Sequence, residues 1–496
     1  MKVLLINPHY PGWIVNKEFI LPLNLLYLAG ALKAAGHGPE ILDLNVYKPW
    51  LKGDDSVSST YCQSLIEDKI ADSKPGLIGI GCMFSGSFPV VLEYTQKIRK
   101  RFPDIPIVIG GIHPTLYSAQ ILQNCGSVDY VVLGEGEKSL VELVGTLESG
   151  EGFYPAGIEK IEGITYRQDG KVVTTKRTHY IKDLDGIPFP AYELVDIKDY
   201  YHDTSGWFNP RNMPINATVP ILSSRSCPNL CNFCVAVNIM GRGWRYRSVH
   251  NIVDEIEYFY NKHNHRHFSF IDDNFTFKKS RVLEICNEIN KRNLKLQFET
   301  PNVATATIDD EVMEAMVGAG LTRIGLAIES GSDFIRNKVM GKRLSRESII
   351  NAVRITKKYK DKIYVKAFFI IGMPEDTMET LMETYEMIKE IDVDEPYVNN
   401  IMPFPGTLLF EQALKDGLFL NNVDLDNIWK MEAFHVVGNK NFYLKPYNLT
   451  MEELFDFRKK VDELLDVMVK KKLESKGMFH HTYRVKGQAP SPPENG

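Results

Sequence analysis

Two long stretches of this chain alternate short apolar strands with amphipathic helices, and a connector rich in Gly, Pro and turn residues separates them. In the first stretch, residues 1–150, the strands read as 2–7, 40–44, 77–82, 105–110 and 130–133, with helices at 24–35, 90–101 and 139–147. Repeated units of this size predict an α/β fold whose parallel sheet is doubly wound, with helices on both faces. In the second stretch, residues 219–430, strands are predicted at 219–224, 268–272, 296–300, 323–328, 363–371 and 397–402. Helices are predicted between them at 248–261, 280–291, 309–319, 345–359 and 377–391. Six strand–helix units suit a partial or complete parallel barrel, with its chemistry at the carboxyl ends of the strands. Residues 151–218 read as the connector, with a small hairpin at 163–167 and 171–175. Residues 431–496 read as a helical C-terminal region, with a charged helix at 450–472 and a Pro- and Gly-rich tail expected to be disordered.

Charge and cysteine usage narrow the class. A formal net charge of -5 argues against a dedicated nucleic-acid binder, which would be basic. No apolar run approaches the ~18 residues of a membrane span, and the first strand is too short for a signal peptide, so a cytoplasmic protein is expected. Of the seven cysteines, Cys62, Cys82, Cys125 and Cys286 are scattered, whereas Cys227, Cys231 and Cys234 crowd one short segment. A disulfide scaffold would be smaller, richer in cysteine and even in count. The tight, odd cluster reads as a metal or cluster site.

In the first unit the strand ends carry Asn7-Pro8-His9, Met83-Phe84-Ser85-Gly86, Gly110-Gly111-Ile112-His113 and Gly134-Glu135-Gly136. Ligands of doubly wound sheets bind at this edge, and glycine lets them approach the backbone closely. Each loop taken alone is equally explained by turn chemistry. None is a Gly-x-Gly-x-x-Gly fingerprint, which disfavours a nicotinamide dinucleotide.

Cys227-Pro-Asn-Leu-Cys231-Asn-Phe-Cys234 follows directly on the first strand of the second unit. Thiolates hold zinc or iron–sulfur clusters. Three ligands to a four-iron cluster leave one iron open to a substrate. A structural zinc would need a fourth ligand, and the chain supplies no nearby cysteine, His250 being the next histidine.

This Cys-x3-Cys-x2-Cys at the end of a first barrel strand resembles the radical S-adenosylmethionine (SAM) enzymes. The preceding 150 residues are similar to the Rossmann-like cobalamin-binding domain of one large subgroup, and the resemblance spans roughly residues 1–430. That subgroup includes cobalamin-dependent methyltransferases and the anaerobic magnesium-protoporphyrin ester cyclase. The resemblance implies that Cys227, Cys231 and Cys234 hold a 4Fe–4S cluster whose open iron takes the amino and carboxylate groups of SAM. It places Phe233 near the adenine and Asp272 and Asp273, in Asp272-Asp273-Asn274, at the SAM amino group. Glu329, in Ile328-Glu329-Ser330-Gly331, falls at the ribose or carboxylate. Gly372 and Glu375 match the adenine-side motif of the fifth strand, and Pro403, within 401–407, the sixth-strand segment beside the adenine. By the same likeness Asn7, Ser85, Gly110, Gly111, Gly134 and Glu135 line a cobalamin site. The Asp-x-His-x-x-Gly motif of histidine-ligated cobalt is missing, because His9 and Gly12 lack the preceding Asp. The implied cobalamin therefore binds without a protein histidine.

Bare residue chemistry is compatible with this and less specific. A carboxylate facing an ammonium or a ribose hydroxyl makes charge-assisted hydrogen bonds, but acidic residues at strand ends also serve as turn residues or caps. His263, His265 and His267 read as a solvated polar loop, and Lys470–Lys472 as an exposed helix face. Tyr200, Tyr201, Trp207 and Phe208 read as either an active-site cover or linker packing. The expected function is a radical SAM enzyme that methylates an unactivated carbon of a small-molecule, lipid or tetrapyrrole substrate through a 5′-deoxyadenosyl radical. A flavodoxin or ferredoxin would serve as its reductant. An oxidative cyclase or ring-rearranging enzyme on the same scaffold is the alternative, and a non-catalytic cobalamin or SAM sensor is the alternative of another class.

Overall fold

The computed structural model describes residues 1–11, 20–83, 85–150, 152–177, 180–202, 204, 207–420, 423–430 and 441–476. Its first sheet is built from β1 (Lys2–Asn7), β2 (Gly38–Asp43), β3 (Leu77–Gly81), β4 (Ile107–Gly110), β5 (Tyr130–Val132), β6 (Ile164–Gln168) and β7 (Lys171–Thr174), in the order β2-β1-β3-β4-β5-β6-β7. The first five strands are parallel and the last two antiparallel. The interleaved helices are α1 (Leu23–Ala34), α2 (Asp55–Ser73), α3 (Phe88–Arg101), α4 (Ile112–Asn124) and α5 (Glu137–Ser149). Because strand side chains alternate, β1 sends Val3 and Leu5 to one face and Leu4 and Ile6 to the other. The first pair packs under α1 and α5 with Leu25, Leu32, Leu140 and Leu143. The second packs under α2, α3 and α4 with Ile66, Ile70, Val91, Ile98 and Ile121. This is the expected doubly wound sheet.

The hairpin corrects the reading of 151–218 as connector. β6 pairs with β5 and β7 with β6, so the first sheet continues past residue 150. Buried Ile164 and Tyr166 join the core under α5, and leaving them in a free connector would expose them. Late in the connector, Trp207 and Phe208 pack on the amino-terminal side of the second sheet. Trp207 meets His267 edge to face, 5.8 Å between ring centroids, and Phe208 lies beside Tyr364. Both partners open their strands, so these aromatics are linker packing and do not cover the strands' carboxyl ends. Tyr200 donates to Asp43 Oδ2 (3.0 Å) and ties the connector to the first sheet.

The second sheet holds β8 (Val219–Ile221), β11 (His267–Phe270), β12 (Gln297–Ala304), β13 (Leu321–Glu329), β14 (Tyr364–Ile371) and β15 (Glu395–Asn400). The order β15-β14-β13-β12-β11-β8 is parallel throughout and runs stepwise from one edge to the other, an open half-barrel. Between β8 and β11 lie the two-residue strands β9 (Ser224–Arg225) and β10 (Arg245–Tyr246), the short helix α6 (Ala236–Met240), and α7 (Val249–Lys262). The outer helices continue with α8 (Lys279–Lys291), α9 (Asp310–Ala319), α10 (Arg346–Lys357), α11 (Met378–Glu390) and α12 (Leu408–Lys415). Ser248, Asp309, Ser345 and Thr377 cap four of these helices through side-chain oxygens. The final helix, α13 (Met451–Ser475), guards the edge strand β15: Arg458 donates to the Val398 carbonyl (2.8 Å) and to Asn400 Oδ1 (3.1 Å). The tail from residue 477 lies outside the described residues.

The histidine loop departs from its expected solvation, because His265 and His267 are buried. His267 opens β11 and meets Thr218, while His265 contacts the His267 carbonyl (2.6 Å). Burial pushes both rings down to a pKa of about 4, so they are neutral core residues. Among the described residues no helix is long and apolar enough to cross a membrane.

Candidate active site

The cysteine loop hangs from the carboxyl end of β8. Its base is closed by the ribbon in which Arg225 faces Arg245 and Ser224 faces Tyr246. Ser226, left-handed at φ 69°, turns the chain into Cys227 and donates from its hydroxyl to the Gly241 carbonyl (2.6 Å). At its tip, Asn232 N donates to the Met340 carbonyl, and Leu409 N donates to the Asn232 carbonyl, both at 3.1 Å. The loop is therefore held by the segments after β13 and β15 as well as by its own strand.

All three thiols are half-buried. Burial pushes Cys227 up, Cys231 to about 11 and Cys234 to about 12. Two polar groups answer this. Asn274 Nδ2 lies 3.9 Å from Cys227 Sγ, and the Lys342 ammonium lowers both Cys227 and Cys231. Burial works against the charge on Lys342, yet Glu329 and the nearby thiols outweigh it and hold its pKa above the usual lysine value. Among the described residues no three His, Cys, Asp or Glu side chains converge as ligands of one metal ion. A cubane cluster makes a different demand, since it takes thiolates at separate corners. A donor set of three thiols with an amide and an ammonium beside it fits such an anionic cluster.

Around this loop the residues singled out from sequence divide. Phe233 packs on Ile335, Met340, Met373 and Ile401, against the ends of β14 and β15. Asp273 is exposed and close enough to Cys227 and Cys234 to raise both thiols. Asp272 is buried and turned away to a structural task. It accepts from Ser223 N (2.7 Å), Ser224 N (3.0 Å) and Ser224 Oγ (2.8 Å), and also from Ser223 Oγ. Both carboxylate oxygens are engaged in joining the turn after β11 to the one after β8.

Glu329 ends β13 in a left-handed conformation at φ 72°, which a non-glycine residue holds only where its surroundings impose it. Its Oε1 meets Lys342 Nζ at 2.5 Å, with both side chains about nine-tenths buried. No sequence signal points to Lys342, because the pair is brought together by the turn of 330–341 and not by any short motif. Gly372 is left-handed at φ 89°, and a Cβ there would stand 2.9 Å from the Phe442 ring. Asp376, equally silent in the sequence, accepts from both Gly372 N and Met373 N (2.9 Å each) and fixes this turn. Burial pushes its carboxyl up to about 6. Glu375 faces α12, accepting from Gln412 Nε2 at 2.7 Å, while its Oε2 is buried without a partner among the described residues. Pro403 is buried beyond β15, and Asn238 of α6 donates to the Gly406 carbonyl (2.5 Å), drawing this segment to the cysteine loop.

The carboxyl edge of the first sheet faces the same region. Gly111, at φ 117°, sits where a Cβ would come within 2.4 Å of the Cys82 carbonyl oxygen, so only glycine fits. Gly134 is left-handed at φ 65°, and Gly110 has room around it, since a Cβ there would meet nothing closer than the Val132 carbonyl oxygen at 3.5 Å. Ser85 is buried in the turn before α3. Over these loops the chain returns: the Trp429 carbonyl meets His113 Nε2 (2.9 Å), and Phe88 packs on the same imidazole. His9 is buried with Nδ1 2.6 Å from Tyr94 OH; Gly12 lies outside the described residues. Asn7 and Glu135 both have partners within the protein. Asn7 Nδ2 donates to Asp43 Oδ1 (3.0 Å) and joins β1 to β2. Glu135 reaches out of the first sheet to the cysteine ribbon, meeting Arg225 at 3.1 Å and Arg245 at 2.7 Å. Glu137 meets Arg225 at 2.5 Å, and although burial opposes its charge, Arg225 and Arg245 hold its carboxyl below the usual range.

Comparison with known proteins agrees with this layout. Residues 15–144 match the B12 binding domain family and residues 221–388 the radical SAM superfamily. The chain is 28% identical over 445 residues to an uncharacterized methyltransferase of Pyrococcus horikoshii, covering 88% of this chain and 89% of that protein. It is 29% identical over 417 residues to the anaerobic magnesium-protoporphyrin IX monomethyl ester cyclase of Rubrivivax gelatinosus, covering 83% of this chain and 70% of the cyclase. Its fold matches the radical SAM methyltransferase TsrM from Kitasatospora setae, solved with cobalamin and a [4Fe-4S] cluster bound. The TM-score is 0.66 at 19% identity, over 84% of this chain and 75% of TsrM.

Proposed function

The chain belongs to the radical SAM superfamily, in the group that carries a B12-binding domain, and from that premise we propose that it is a cobalamin-dependent methyltransferase acting on an unactivated carbon. The observation that carries the reading is the placement of the cysteine loop. It projects from the half-barrel's mouth, and Arg225 and Arg245 at its base are bound to Glu135 and Glu137 on the glycine-lined edge of the first sheet. These ion pairs bring the two edges together, which supports a reading in which both cofactors share one space.

In this reading Cys227, Cys231 and Cys234 hold a 4Fe–4S cluster, and Gly110, Gly111 and Gly134 let cobalamin approach the first sheet. When bound, the cluster supplies the electron that cleaves SAM, and the corrinoid supplies a methyl group. The chain's own residues position and shield. Phe233, the Gly372 turn and Pro403 offer an apolar and backbone surface for an adenine. Lys342 brings a positive charge to the thiols and Glu329 an acceptor beside it, a pair suited to the carboxylate and the ribose or ammonium of SAM. The loops at the mouth expose Leu230, Ile271, Phe277, Phe334 and Leu408. An apolar substrate, a lipid or a tetrapyrrole, suits such a rim.

Similarity to the ester cyclase favours a second reading, oxidative ring closure on the same scaffold. Anaerobic purification with iron reconstitution tests the shared part: an iron–sulfur spectrum, an extractable corrinoid and release of 5′-deoxyadenosine from SAM under reduction are expected. A protein that binds iron but no corrinoid overturns the cobalamin role. Product mass separates the two reactions, a gain of one methylene marking methylation and loss of hydrogen or gain of oxygen marking cyclisation.

A further inference from the structure

The chain is acidic overall, with a formal net charge of -5, yet the segment that braces the cysteine loop is basic. Residues 336–343, Arg-Asn-Lys-Val-Met-Gly-Lys-Arg, carry four cations and no carboxylate. Two of the four are answered: buried Arg336 pairs with Asp333 at 2.7 Å, and Lys342 meets Glu329 at 2.5 Å. Lys338 and Arg343 are exposed and reach no carboxylate among the described residues. This stretch lies against the loop, since Asn232 N donates to the Met340 carbonyl and a Cβ on Gly341 would stand 3.6 Å from the Leu230 carbonyl oxygen. On the other side Leu409 N donates to the Asn232 carbonyl, which brings the start of α12 alongside. Leu230, Phe334 and Leu408 stand out from these three segments, 58%, 52% and 72% exposed. Asp333 is neutralised by Arg336, and Glu411 stands a turn further along α12, so the face is net positive. The other exposed apolar residues of the mouth lack free cations. Beside Phe277, Lys278 lies over the Tyr246 ring and Lys279 pairs with Asp309 and Glu311, while acidic Asp273 follows Ile271.

We propose that this face, formed by Leu230, Phe334, Lys338, Arg343 and Leu408, is where an acidic one-electron carrier protein docks to reduce the cluster. The inference rests on the cluster reading of Cys227, Cys231 and Cys234 and adds the route by which the electron arrives. One electron passes from the reduced carrier to the cluster, and no atom or proton is transferred with it. Electron transfer falls off steeply with distance, and Leu230 precedes Cys231 directly, so a protein seated here comes within one residue of a thiolate ligand. The charge is of the matching sign: unpaired cations on an otherwise acidic chain steer an acidic partner to one face and disfavour the rest of the surface. The size also suits, because redox encounters are brief and use small interfaces, under about 1,200 Å² in total.

The test uses the full chain, reconstituted anaerobically, with flavodoxin and a plant-type ferredoxin as acidic carriers and cytochrome c as a basic one. Binding is measured by calorimetry, and the rate at which each reduced acidic carrier bleaches the iron–sulfur absorbance by stopped flow. Wild type is compared with Lys338→Glu/Arg343→Glu, and with Lys470→Glu/Lys471→Glu, which makes the same charge change on the exposed face of α13. Iron content and a thermal melt accompany each protein. At low ionic strength the first double variant should bind at least one acidic carrier, and be reduced by it, roughly tenfold more weakly and more slowly than wild type. Added salt should shrink that difference. The α13 variant should behave as wild type, cytochrome c should not favour wild type over either variant, and SAM cleavage at saturating dithionite should be alike in all three. Equal binding and reduction of wild type and Lys338→Glu/Arg343→Glu overturns the proposal, as does an equal loss in the α13 variant, which would make the effect one of overall charge. A wild-type chain that binds neither acidic carrier, or that instead pairs with a second copy through this face, overturns it too. In each of these cases the iron–sulfur spectrum stays; its absence from reconstituted wild type is what removes the cluster reading itself.

Discussion

Replacing Glu135 by Ala should loosen the cysteine loop without touching a cysteine. Glu135 is nearly inaccessible, its side chain 4% exposed, and it pairs with Arg225 and Arg245, themselves 6% and 11% exposed. It also accepts from Ile181 N at 3.1 Å. Removing one partner of a buried ion pair costs about 3–5 kcal/mol, because the remaining charge stays buried. Arg225 keeps Glu137 and is protected, whereas Arg245 is left with the carbonyls of Ile181 and Met240. The loss should therefore fall near the lower figure, about 3 kcal/mol. Denaturant titration of the apo-protein measures it, and timed alkylation of Cys227, Cys231 and Cys234 followed by peptide mass analysis reads the loop directly. Faster alkylation of these three, with buried Cys82 and Cys286 unchanged, is the expected pattern. An unchanged transition together with unchanged alkylation would refute the view that this bridge sets the loop.

Alanine at Cys227, Cys231 or Cys234 should abolish the iron–sulfur absorbance and SAM cleavage, and full iron content in any single variant would end the cluster assignment. Glu329→Gln keeps the shape but removes the negative charge that faces Lys342; SAM affinity or cleavage should fall about five- to hundredfold, as for a lost charge-assisted bond, while iron content holds. The corrinoid of the full chain, reduced to Co(II), should show no nitrogen superhyperfine splitting from a protein imidazole, since His9 is buried against Tyr94, and splitting lost in His9→Ala would overturn this. The Asp376 carboxyl, raised to about 6 in the folded chain, binds a proton that the unfolded chain has already released. Its contribution therefore makes stability fall as pH rises from about 4 to 6, and that part of the slope should vanish in Asp376→Asn when melts are compared across this window.

Much of this arrangement is legible in the sequence alone. The strand runs of both sheets carry their pattern locally, as β1 does with its alternating Val3, Leu4, Leu5 and Ile6, so fold class follows from periodicity. The cysteine triad is legible for another reason: its chemistry lies in spacing, which sequence shows directly. Two helices of the first unit escape. α2 mixes Ser, Asp and Gln among its buried Cys62, Ile66 and Ile70, which blurs the apolar stripe, and α4 begins at Gly111-Ile112-His113-Pro114, which reads as a turn. The hairpin's place in the first sheet is invisible because pairing of β6 with β5 depends on where the chain returns, not on its local pattern. His265 and His267 mislead because a polar string resembles a solvated loop until a neighbour such as Trp207 covers it.

Three of the residues singled out at strand ends have partners that the sequence does not show, for one physical reason. Asn7, Asp272 and Glu135 all stand at strand ends, where sequence fixes the residue type but not the loop that faces it. In each case the facing loop supplies partners: Asp43 accepts one hydrogen bond from Asn7, Ser223 and Ser224 fill both carboxylate oxygens of Asp272, and Arg225, Arg245 and Ile181 N fill those of Glu135. A group so satisfied has little left for a ligand, since reorienting it would strand its buried partners. By the same reasoning the groups to watch are those whose partners do not fill them. Arg177 Nη1, Glu375 Oε2 and Asn274 Oδ1 are buried without partners among the described residues. Asn274 adjoins Cys227 and Glu375 follows the Gly372 turn, while Arg177 overlies Gly134. Asn274 and Glu375 thus keep hydrogen-bonding capacity beside the cysteine loop and the turn after β14, the surfaces to which the proposed chemistry assigns its cluster and its SAM.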